Sequence, residues 1–218
     1  AKAIKAKNGS AIITVVEKEP KEAMHSSGRN SGVLHAGFYY TADSLKAKFT
    51  KDGNAAWTKF CDDRGLPINK CQKVVVAKDE SELAGIEELH KRGIKNGVDV
   101  KIIDEAELLD IDPNVKTHKK ALYSPTTSTV DPILLCAELR YELEKEGVLF
   151  IFGDGYDSKI DGGIRLKSGR VLKADKIINC AGLYADKVAK DFGFSADYTI
   201  IPFKGIYLKY SNNDKPRN

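Results

Sequence analysis

Residues 25–40 carry the side chains best suited to bind a phosphorylated cofactor and to take part in catalysis. Glycines in this segment let the backbone approach a ligand closely or adopt a positive φ. Short hydroxyl and amide side chains donate and accept hydrogen bonds, and Arg29 adds a planar cation. The segment also holds His25 and His35, and an imidazole is the natural proton acceptor near neutral pH. An ordinary polar surface turn is the alternative that this composition leaves open.

A strand that ends in an acidic residue precedes this segment. Residues 11–17 are apolar and β-branched, which predicts a buried strand ending at Glu17. An acidic residue at the end of the second strand of a dinucleotide-binding unit typically accepts hydrogen bonds from ribose hydroxyls. Residues 1–8 predict the last turns of a helix. We therefore expect a Gly-x-Gly-x-x-Gly turn ahead of Ala1 and a chain that is a piece of a longer protein, whereas a solvated strand end is the alternative for Glu17.

A second cofactor-binding element is predicted near Cys180. Residues 176–179 predict a buried strand that runs into Cys180, Ala181 and Gly182, and a helix is predicted to follow directly. Small residues at such a turn expose the N–H groups of the helix start to phosphate or ribitol groups. A generic turn between a strand and a helix is the alternative. Residues 199–210 predict a bent strand or a pair of strands.

Seven stretches along residues 1–210 form a recognisable pattern when taken together. They are Val-Glu-Lys-Glu-Pro at 16–20, the segment 25–40, Ser-Leu-Lys-Ala-Lys at 44–48, Cys-Gln-Lys-Val-Val-Val-Ala at 71–77, Ser-Pro-Thr-Thr-Ser-Thr-Val-Asp at 124–131, Ile-Asn-Cys-Ala-Gly-Leu-Tyr-Ala-Asp at 178–186 and Pro-Phe-Lys-Gly at 202–205. In them the chain resembles the L-2-hydroxyglutarate dehydrogenase/oxidase family, FAD-dependent flavoproteins of the D-amino-acid-oxidase-like superfamily. It departs from that family at 127–131, where Thr-Ser-Thr-Val-Asp replaces the usual Thr-Gly-Ile-Val-Asp. The family's first glycine motif and its C-terminal part are also absent from the sequence, so residues 1–218 are expected to hold FAD weakly or not at all.

The resemblance implies an α/β fold with two interleaved domains. One is a partial FAD-binding, Rossmann-like domain made of residues 1–42 and 131–192. The other is a partial substrate domain of α+β type, with a mixed or antiparallel sheet, made of residues 43–130 and 193–218. The sequence composition alone shows no clear linker between them.

The resemblance also assigns roles to individual residues. His35 is the expected catalytic base, since it lies in the segment that should face the flavin ring, and a structural histidine is the alternative. Tyr39, Tyr40 and Lys204 are expected to contact the substrate, while Lys46 and Arg29 are further candidates for pairing with its carboxylates. The expected FAD-binding residues are Glu17, Lys18, Ser27, Gly28, Arg29, Asn30, Ser31, Gly32, Cys180, Ala181 and Gly182.

Composition limits the other classes of function. The net charge of +4 is modest and the lysines are scattered, which argues against nucleic-acid binding. No apolar run reaches the ~18 residues of a membrane span. The four cysteines include no Cys-x-x-Cys pair, so we expect no metal site and reduced thiols, with Cys136 and Cys180 packed as small apolar residues. A cytoplasmic location is expected, with peripheral membrane contact as an option.

The expected reaction is FAD-dependent oxidation of a 2-hydroxy acid, L-2-hydroxyglutarate to 2-oxoglutarate in the first instance. The electrons would pass on to a quinone or to oxygen. A flavoprotein resembling glycerol-3-phosphate dehydrogenase is the alternative enzyme, because that group has a similar Gly-Arg-Asn-x-Gly-x-x-His loop, here at 28–35. A fragment without activity of its own is the alternative outside the enzymes.

Overall fold

The computed structural model describes residues 1–206. In chain order, the helices are α1 (Lys2–Lys7), α2 (Leu45–Arg64), α3 (Leu83–Lys95), α4 (Glu105–Ile111), α5 (Pro132–Lys145) and α6 (Ala185–Asp191). The strands are β1 (Thr14–Glu17), β2 (Val33–Leu34), β3 (Ile68–Asn69), β4 (Lys73–Val76), β5 (Lys101–Ile103), β6 (Ala121–Ser124), β7 (Ser128–Val130), β8 (Leu149–Phe152), β9 (Tyr156–Ile160), β10 (Gly163–Leu166) and β11 (Val171–Lys173). Short 3₁₀ turns occupy Glu80–Glu82 and Gly182–Tyr184. The mixture of helices and small sheets confirms the α/β class.

The chain divides into two compact units that use interleaved segments. The first contains Ala1–Arg29 and the described residues from Pro132 onward, and the second contains Asn30–Asp131. These boundaries differ from the predicted domains at two places. Residues 30–42 group with the second unit because β2 pairs with β7. Residues 193–206 group with the first unit, where the Ile200 N–H donates to the Asp186 carboxylate at 3.1 Å.

The first unit contains a parallel pair and an antiparallel meander. Strands β1 and β8 are parallel, with Thr14 opposite Leu149 and Glu17 opposite Phe152. Helix α5 leads into β8, starting at Pro132, whose fixed φ suits a first helical position. The three strands β9, β10 and β11 pair in sequence order as antiparallel neighbours.

The second unit is built from two three-stranded sheets and helices α2, α3 and α4. The strand orders are β2-β7-β3 and β4-β6-β5. Side chains alternate along β4, so that Val75 packs with the core around Phe38 and Leu122, while Val74 and Val76 pack with the cluster around Leu108. One face of β4 therefore packs against the core cluster that includes Ala36 and Phe38.

Helix ends follow the sequence signals. The Ser44 hydroxyl accepts from the Ala47 N–H at 3.1 Å at the start of α2, and Gly65 ends that helix with φ of 63°. Asp104 and Glu107 form a reciprocal capping box at the start of α4. These local hydrogen bonds determine where α2 and α4 begin, and Gly65 determines where α2 ends.

Two predicted strands are absent from the described chain. Residues 176–179 form no strand and are exposed, with Ile178 66% accessible, and Cys180 is exposed rather than packed. Residues 199–206 also form no strand, and 207–210 lie outside the described residues. A strand exists only with a hydrogen-bonding neighbour, and residues 1–206 provide none for either segment.

No helix within residues 1–206 combines the length and apolarity required to cross a bilayer.

Candidate functional site

In the first unit, the candidate site begins where β1 ends at Glu17. Glu17 Oε1 accepts from the Glu19 N–H at 2.9 Å, which fixes the half-buried side chain against its own backbone. Among residues 1–206, the second carboxylate oxygen has no hydrogen-bond partner. The arrangement therefore offers one oriented acceptor for a hydroxyl donor.

A small cluster of charged side chains follows Glu17. Lys18 Nζ lies 2.7 Å from His25 Nε2, the same imidazole nitrogen lies 2.7 Å from Glu19 Oε1, and Lys18 also bonds Glu19. The hydrogen bonds from Lys18 and then His25 lower the pKa of the Glu19 carboxyl. The hydrogen bond to Glu19 raises the pKa of Lys18. Because these groups are largely exposed, the cluster orients the loop more than it stabilises the fold.

The loop after this cluster holds the predicted residues Ser27, Gly28 and Arg29. A Cβ at Gly28 would lie 2.0 Å from the Ala23 carbonyl oxygen, so the loop folds back on itself and only glycine fits there. Ala23 itself has a φ of 59°. Ser27 and Arg29 are exposed on the same loop. Gly28 thus has a packing role in this loop that requires no ligand.

The turn at 179–184 is held by Asn179. Its Oδ1 accepts from the Ala181 N–H at 3.1 Å, and its Nδ2 donates to the Ala185 carbonyl at 2.8 Å. Gly182 has a φ of 54° and open space where a Cβ would point. Lys18 Nζ lies 5.4 Å from the centroid of the Tyr184 ring. The structure therefore brings the end of β1 next to the turn that carries Cys180, Ala181 and Gly182, all three of which are exposed.

In the second unit, Asn30, Ser31 and Gly32 form the turn that leads into β2. Asn30 Oδ1 accepts from the Gly32 N–H at 2.8 Å, and Gly32 has a φ of 68°. The Gly32 carbonyl accepts from the Val130 N–H at 2.9 Å, which ties this turn to β7. Ser31 is exposed. The predicted FAD-binding residues are thus divided between the two units.

His35 follows β2 and is half-buried. Desolvation by burial, and secondly the positive charge of Lys73, lower the pKa of its imidazole. A histidine with a lowered pKa is neutral at pH 7, so one ring nitrogen can accept a proton. A neutral imidazole is the form that the predicted base requires, and the role of His35 stays a prediction.

Two lysines lie over the predicted substrate tyrosines. Lys73 Nζ is 4.8 Å from the centroid of the Tyr39 ring, and Lys46 Nζ is 4.5 Å from that of Tyr40. Side chains on α3 and directly after it hold the backbone of Tyr39 and Tyr40. Arg92 Nη1 donates to the Tyr39 carbonyl at 2.9 Å, and Asn96 Nδ2 donates to the Tyr40 carbonyl at 3.0 Å. The result is a positively charged, aromatic surface.

A buried asparagine supports this surface from α2. Asn54 Nδ2 donates to the Leu34 carbonyl at 2.7 Å and to the Thr126 carbonyl at 3.0 Å. Thr127 is buried beside Ser124, their hydroxyl oxygens 3.3 Å apart. Asn54 therefore joins the residue before His35 to the threonine loop.

Sequence reasoning missed Lys73 and Asn54 as site residues. Lys73 lies in the 71–77 stretch that carries part of the family resemblance, and this was the available signal. Asn54 gave no signal beyond being a polar residue inside a helix. Lys204 is exposed on residues 201–206 of the first unit, a segment without helix or strand.

Comparison with known proteins identifies the family. The sequence model for FAD dependent oxidoreductases matches residues 3–218. The L-2-hydroxyglutarate dehydrogenase of Escherichia coli (strain K12) is 34% identical over 203 residues, which are 91% of this chain and 48% of that protein. The mitochondrial L-2-hydroxyglutarate dehydrogenase of Caenorhabditis elegans is 36% identical over 207 residues, 90% of this chain and 47% of that protein. The chain spans about half the length of these curated relatives.

Solved structures agree on the fold. The dithionite-reduced L-alpha-glycerophosphate oxidase from Mycoplasma pneumoniae with FAD bound has a TM-score of 0.73 and 28% identity, covering 82% of this chain and 50% of that chain. The glycine oxidase from Geobacillus kaustophilus has a TM-score of 0.70 and 18% identity, covering 84% and 52% of the two chains, and shows the fold alone. Because the family match runs almost from end to end, the chain belongs to the FAD dependent oxidoreductases.

Proposed function

We propose that the protein containing this chain oxidises L-2-hydroxyglutarate to 2-oxoglutarate with FAD. The observation that carries the proposal is the half-buried His35 in the same segment as Tyr39 and Tyr40, whose rings lie under the Lys73 and Lys46 ammonium groups. Burial, and secondly the charge of Lys73, lower the pKa of the His35 imidazole. Relatives named L-2-hydroxyglutarate dehydrogenase, at 34% and 36% identity, support the choice of substrate.

The chemistry needs a base and positive charge. When bound, FAD supplies the acceptor for the hydride that leaves C2. His35 takes the hydroxyl proton, so that C2–OH becomes a C2 carbonyl. Lys46 and Lys73 offer positive charge to a substrate that carries two carboxylates. The electrons pass afterwards to a quinone or to oxygen.

FAD binding is proposed for both units. At the end of β1, Glu17 has an oxygen without a hydrogen-bond partner among residues 1–206, which fits a ribose hydroxyl, and Lys18 adds positive charge. Gly182 leaves open space at its turn, as a ligand close to the backbone requires. The other proposed contacts are Ser27, Gly28, Arg29, Asn30, Ser31, Gly32, Cys180 and Ala181. In this proposal the first unit carries most of the FAD-binding domain and the second carries the substrate side, although Lys204 is a proposed substrate contact from the first.

Oxidation of glycerol 3-phosphate is the second candidate. It is favoured by the likeness to the L-alpha-glycerophosphate oxidase at 28% identity and a TM-score of 0.73. The Gly-Arg-Asn-x-Gly-x-x-His loop at 28–35 also favours this candidate, because the glycerol-3-phosphate dehydrogenases have a similar loop. Anaerobic bleaching of the bound flavin with each compound separates the two. If glycerol 3-phosphate bleaches the flavin and L-2-hydroxyglutarate does not, the proposed substrate is wrong.

His35 is tested by substitution in the intact flavoprotein. His35→Ala and His35→Asn are expected to slow flavin reduction by substrate by roughly 10²- to 10⁴-fold, the usual contribution of a general base. Bound FAD should remain near the wild-type level in both. His118→Asn is the matched control. His118 lies within hydrogen-bond distance of Glu80, in the 3₁₀ turn that precedes α3, and it has no proposed role. Wild-type reduction rates in both His35 variants would place the base elsewhere.

The cellular setting is also proposed. A cytoplasmic location with peripheral contact to a membrane would suit transfer of electrons to a quinone. Co-sedimentation of the intact flavoprotein with anionic lipid vesicles tests the membrane contact. Recovery of all the protein in the supernatant would contradict it.

A further inference from the structure

Lys73 occupies the end of a buried strand face. Lys73 and Val75 project to the same side of β4, and Val75 packs against the core cluster that includes Ala36 and Phe38. Lys73 is opposite Ser124 in the β4–β6 register. The face therefore changes from apolar to polar at Lys73, beside the segment that carries His35 and Tyr39.

The ammonium group of Lys73 is half-buried against an aromatic ring. It lies over the Tyr39 ring at 4.8 Å, and no carboxylate within residues 1–206 forms an ion pair with it. Five lysines of the second unit have carboxylate partners, namely Lys59 with Asp63, Lys70 with Asp62, Lys95 with Asp43, Lys119 with Glu80 and Lys120 with Glu87. Lys46 also lies over a tyrosine ring, but it is exposed, whereas Lys73 is half-buried. A half-buried cation that rests on an aromatic face without a counter-charge is suited to bind an anion.

We propose that Lys73 binds the carboxylate attached to the reacting carbon of a 2-hydroxy acid, with the Tyr39 ring orienting the ammonium group. This inference rests on the proposed function and specifies its substrate recognition. The carboxylate on C2 and the hydroxyl on C2 are neighbours, and Lys73 lies over the ring of Tyr39, which follows His35 in the same segment. In this arrangement His35 takes the proton of the C2 hydroxyl, and Lys73 binds the carboxylate attached to C2.

This role would set specificity. An ion pair with Lys73 raises the binding affinity of an alcohol that carries a carboxylate on the reacting carbon. Glycerol 3-phosphate has no carboxylate there, and its phosphate is attached to a different carbon from the secondary hydroxyl. Lys73 therefore selects between the two candidate substrate classes.

The test uses the intact flavoprotein and three substitutions. Lys73→Met removes the charge and keeps the length, Lys73→Gln is a second neutral variant, and Lys73→Arg keeps the charge. Lys101→Met is the matched control, because Lys101 is an exposed lysine on β5 of the same sheet. The dissociation constant of 2-oxoglutarate is measured by calorimetry, alongside KM and kcat for L-2-hydroxyglutarate and for L-2-hydroxybutyrate.

We expect both neutral variants to weaken 2-oxoglutarate binding by roughly 10- to 100-fold, as for loss of a hydrogen bond to a charged group. KM should rise by a similar factor for both hydroxy acids, because they share the C2 carboxylate. Lys73→Arg should retain most of the affinity, and Lys101→Met should match wild type. FAD content and the unfolding midpoint check that each variant is folded.

Two results would overturn the inference while leaving the proposed function intact. One is 2-oxoglutarate affinity in a folded neutral variant equal to that of Lys101→Met. The other is a loss confined to L-2-hydroxyglutarate, which would place Lys73 at the distal carboxylate. Failure of wild-type protein to oxidise any 2-hydroxy acid would instead contradict the proposed function itself.

Discussion

The protonation state of His35 links its surroundings to a measurable pH dependence. Burial and the charge of Lys73 both disfavour the protonated imidazole, which lowers its pKa. The reactive neutral form therefore persists as the pH falls through the ordinary histidine value of about 6.5. The acidic limb of the reaction should consequently lie below that value.

We predict that the second-order rate constant for flavin reduction at low substrate, which reports the pKa values of the free protein, falls only below about pH 6.5. In Lys73→Met the limb should move to higher pH, because one repulsive charge has been removed. Stopped-flow absorbance from pH 5 to pH 8 measures both profiles. A limb above the ordinary value would contradict a lowered pKa of His35. A limb that does not move in the variant would show that Lys73 does not affect the titrating group.

Glu17 is the residue whose role the sequence indicates from position alone. We predict that Glu17→Ala in the intact flavoprotein weakens FAD binding by about 1–3 kcal/mol, the cost of losing a hydrogen bond to a charged group. FAD released on dialysis or desalting provides the measurement. Glu146→Ala, at an exposed position after α5, is the control and should retain FAD. Equal retention of FAD by the two variants would show that Glu17 does not contribute to FAD binding.

Among the elements, α2 supports the candidate site through the buried side chain of Asn54. Asn54 donates to two backbone carbonyls, one in β2 and one in the turn between β6 and β7. We predict that Asn54→Ala destabilises the protein by about 1–3 kcal/mol, because two buried acceptors lose their partner. Urea unfolding followed by circular dichroism measures the change. Lys48→Ala, an exposed change on the same helix, should stay within about 0.5 kcal/mol of wild type, and a similarly small change in Asn54→Ala would contradict the support role.

Helices were predictable because their signals are local. Ser44, Gly65 and Asp104 act within their own helix ends, so the ends of α2 and the start of α4 depend on nearby residues alone. Strands depend on a neighbour that the local sequence does not specify. Ile177 and Ile178 have the composition of a buried strand, yet no strand within residues 1–206 pairs with them.

The candidate site was predictable in part for the same reason. Glu17 is found at the end of its strand, as the apolar run before it indicates. Lys73 and Asn54 could not be assigned from local pattern, because their roles depend on alternation across β4 and on contacts between distant loops. The roles of His35, Tyr39, Tyr40 and Lys204 stay predictions.

For the whole molecule, the glycine motifs that the sequence contains bear on cofactor retention. No Gly-x-Gly-x-x-Gly turn occurs within residues 1–218, and this turn is the usual cradle for the pyrophosphate. We predict that purified residues 1–218 are colourless or lose flavin on a desalting column. The absorbance near 450 nm relative to protein gives the FAD content, with FAD-saturated and untreated samples compared. A persistent stoichiometric yellow colour would contradict the prediction.

The parallel pairing of β1 with β8 has a consequence for synthesis on the ribosome. The partner of Thr14 is Leu149, and the whole of the second unit is translated between them. At typical elongation rates β1 waits on the order of 10 s for its partner. The second unit can fold during that interval, while the backbone edge of β1 stays unpaired and open to association with other chains. Chaperone demand in the cell should therefore be concentrated in the window before β8 emerges.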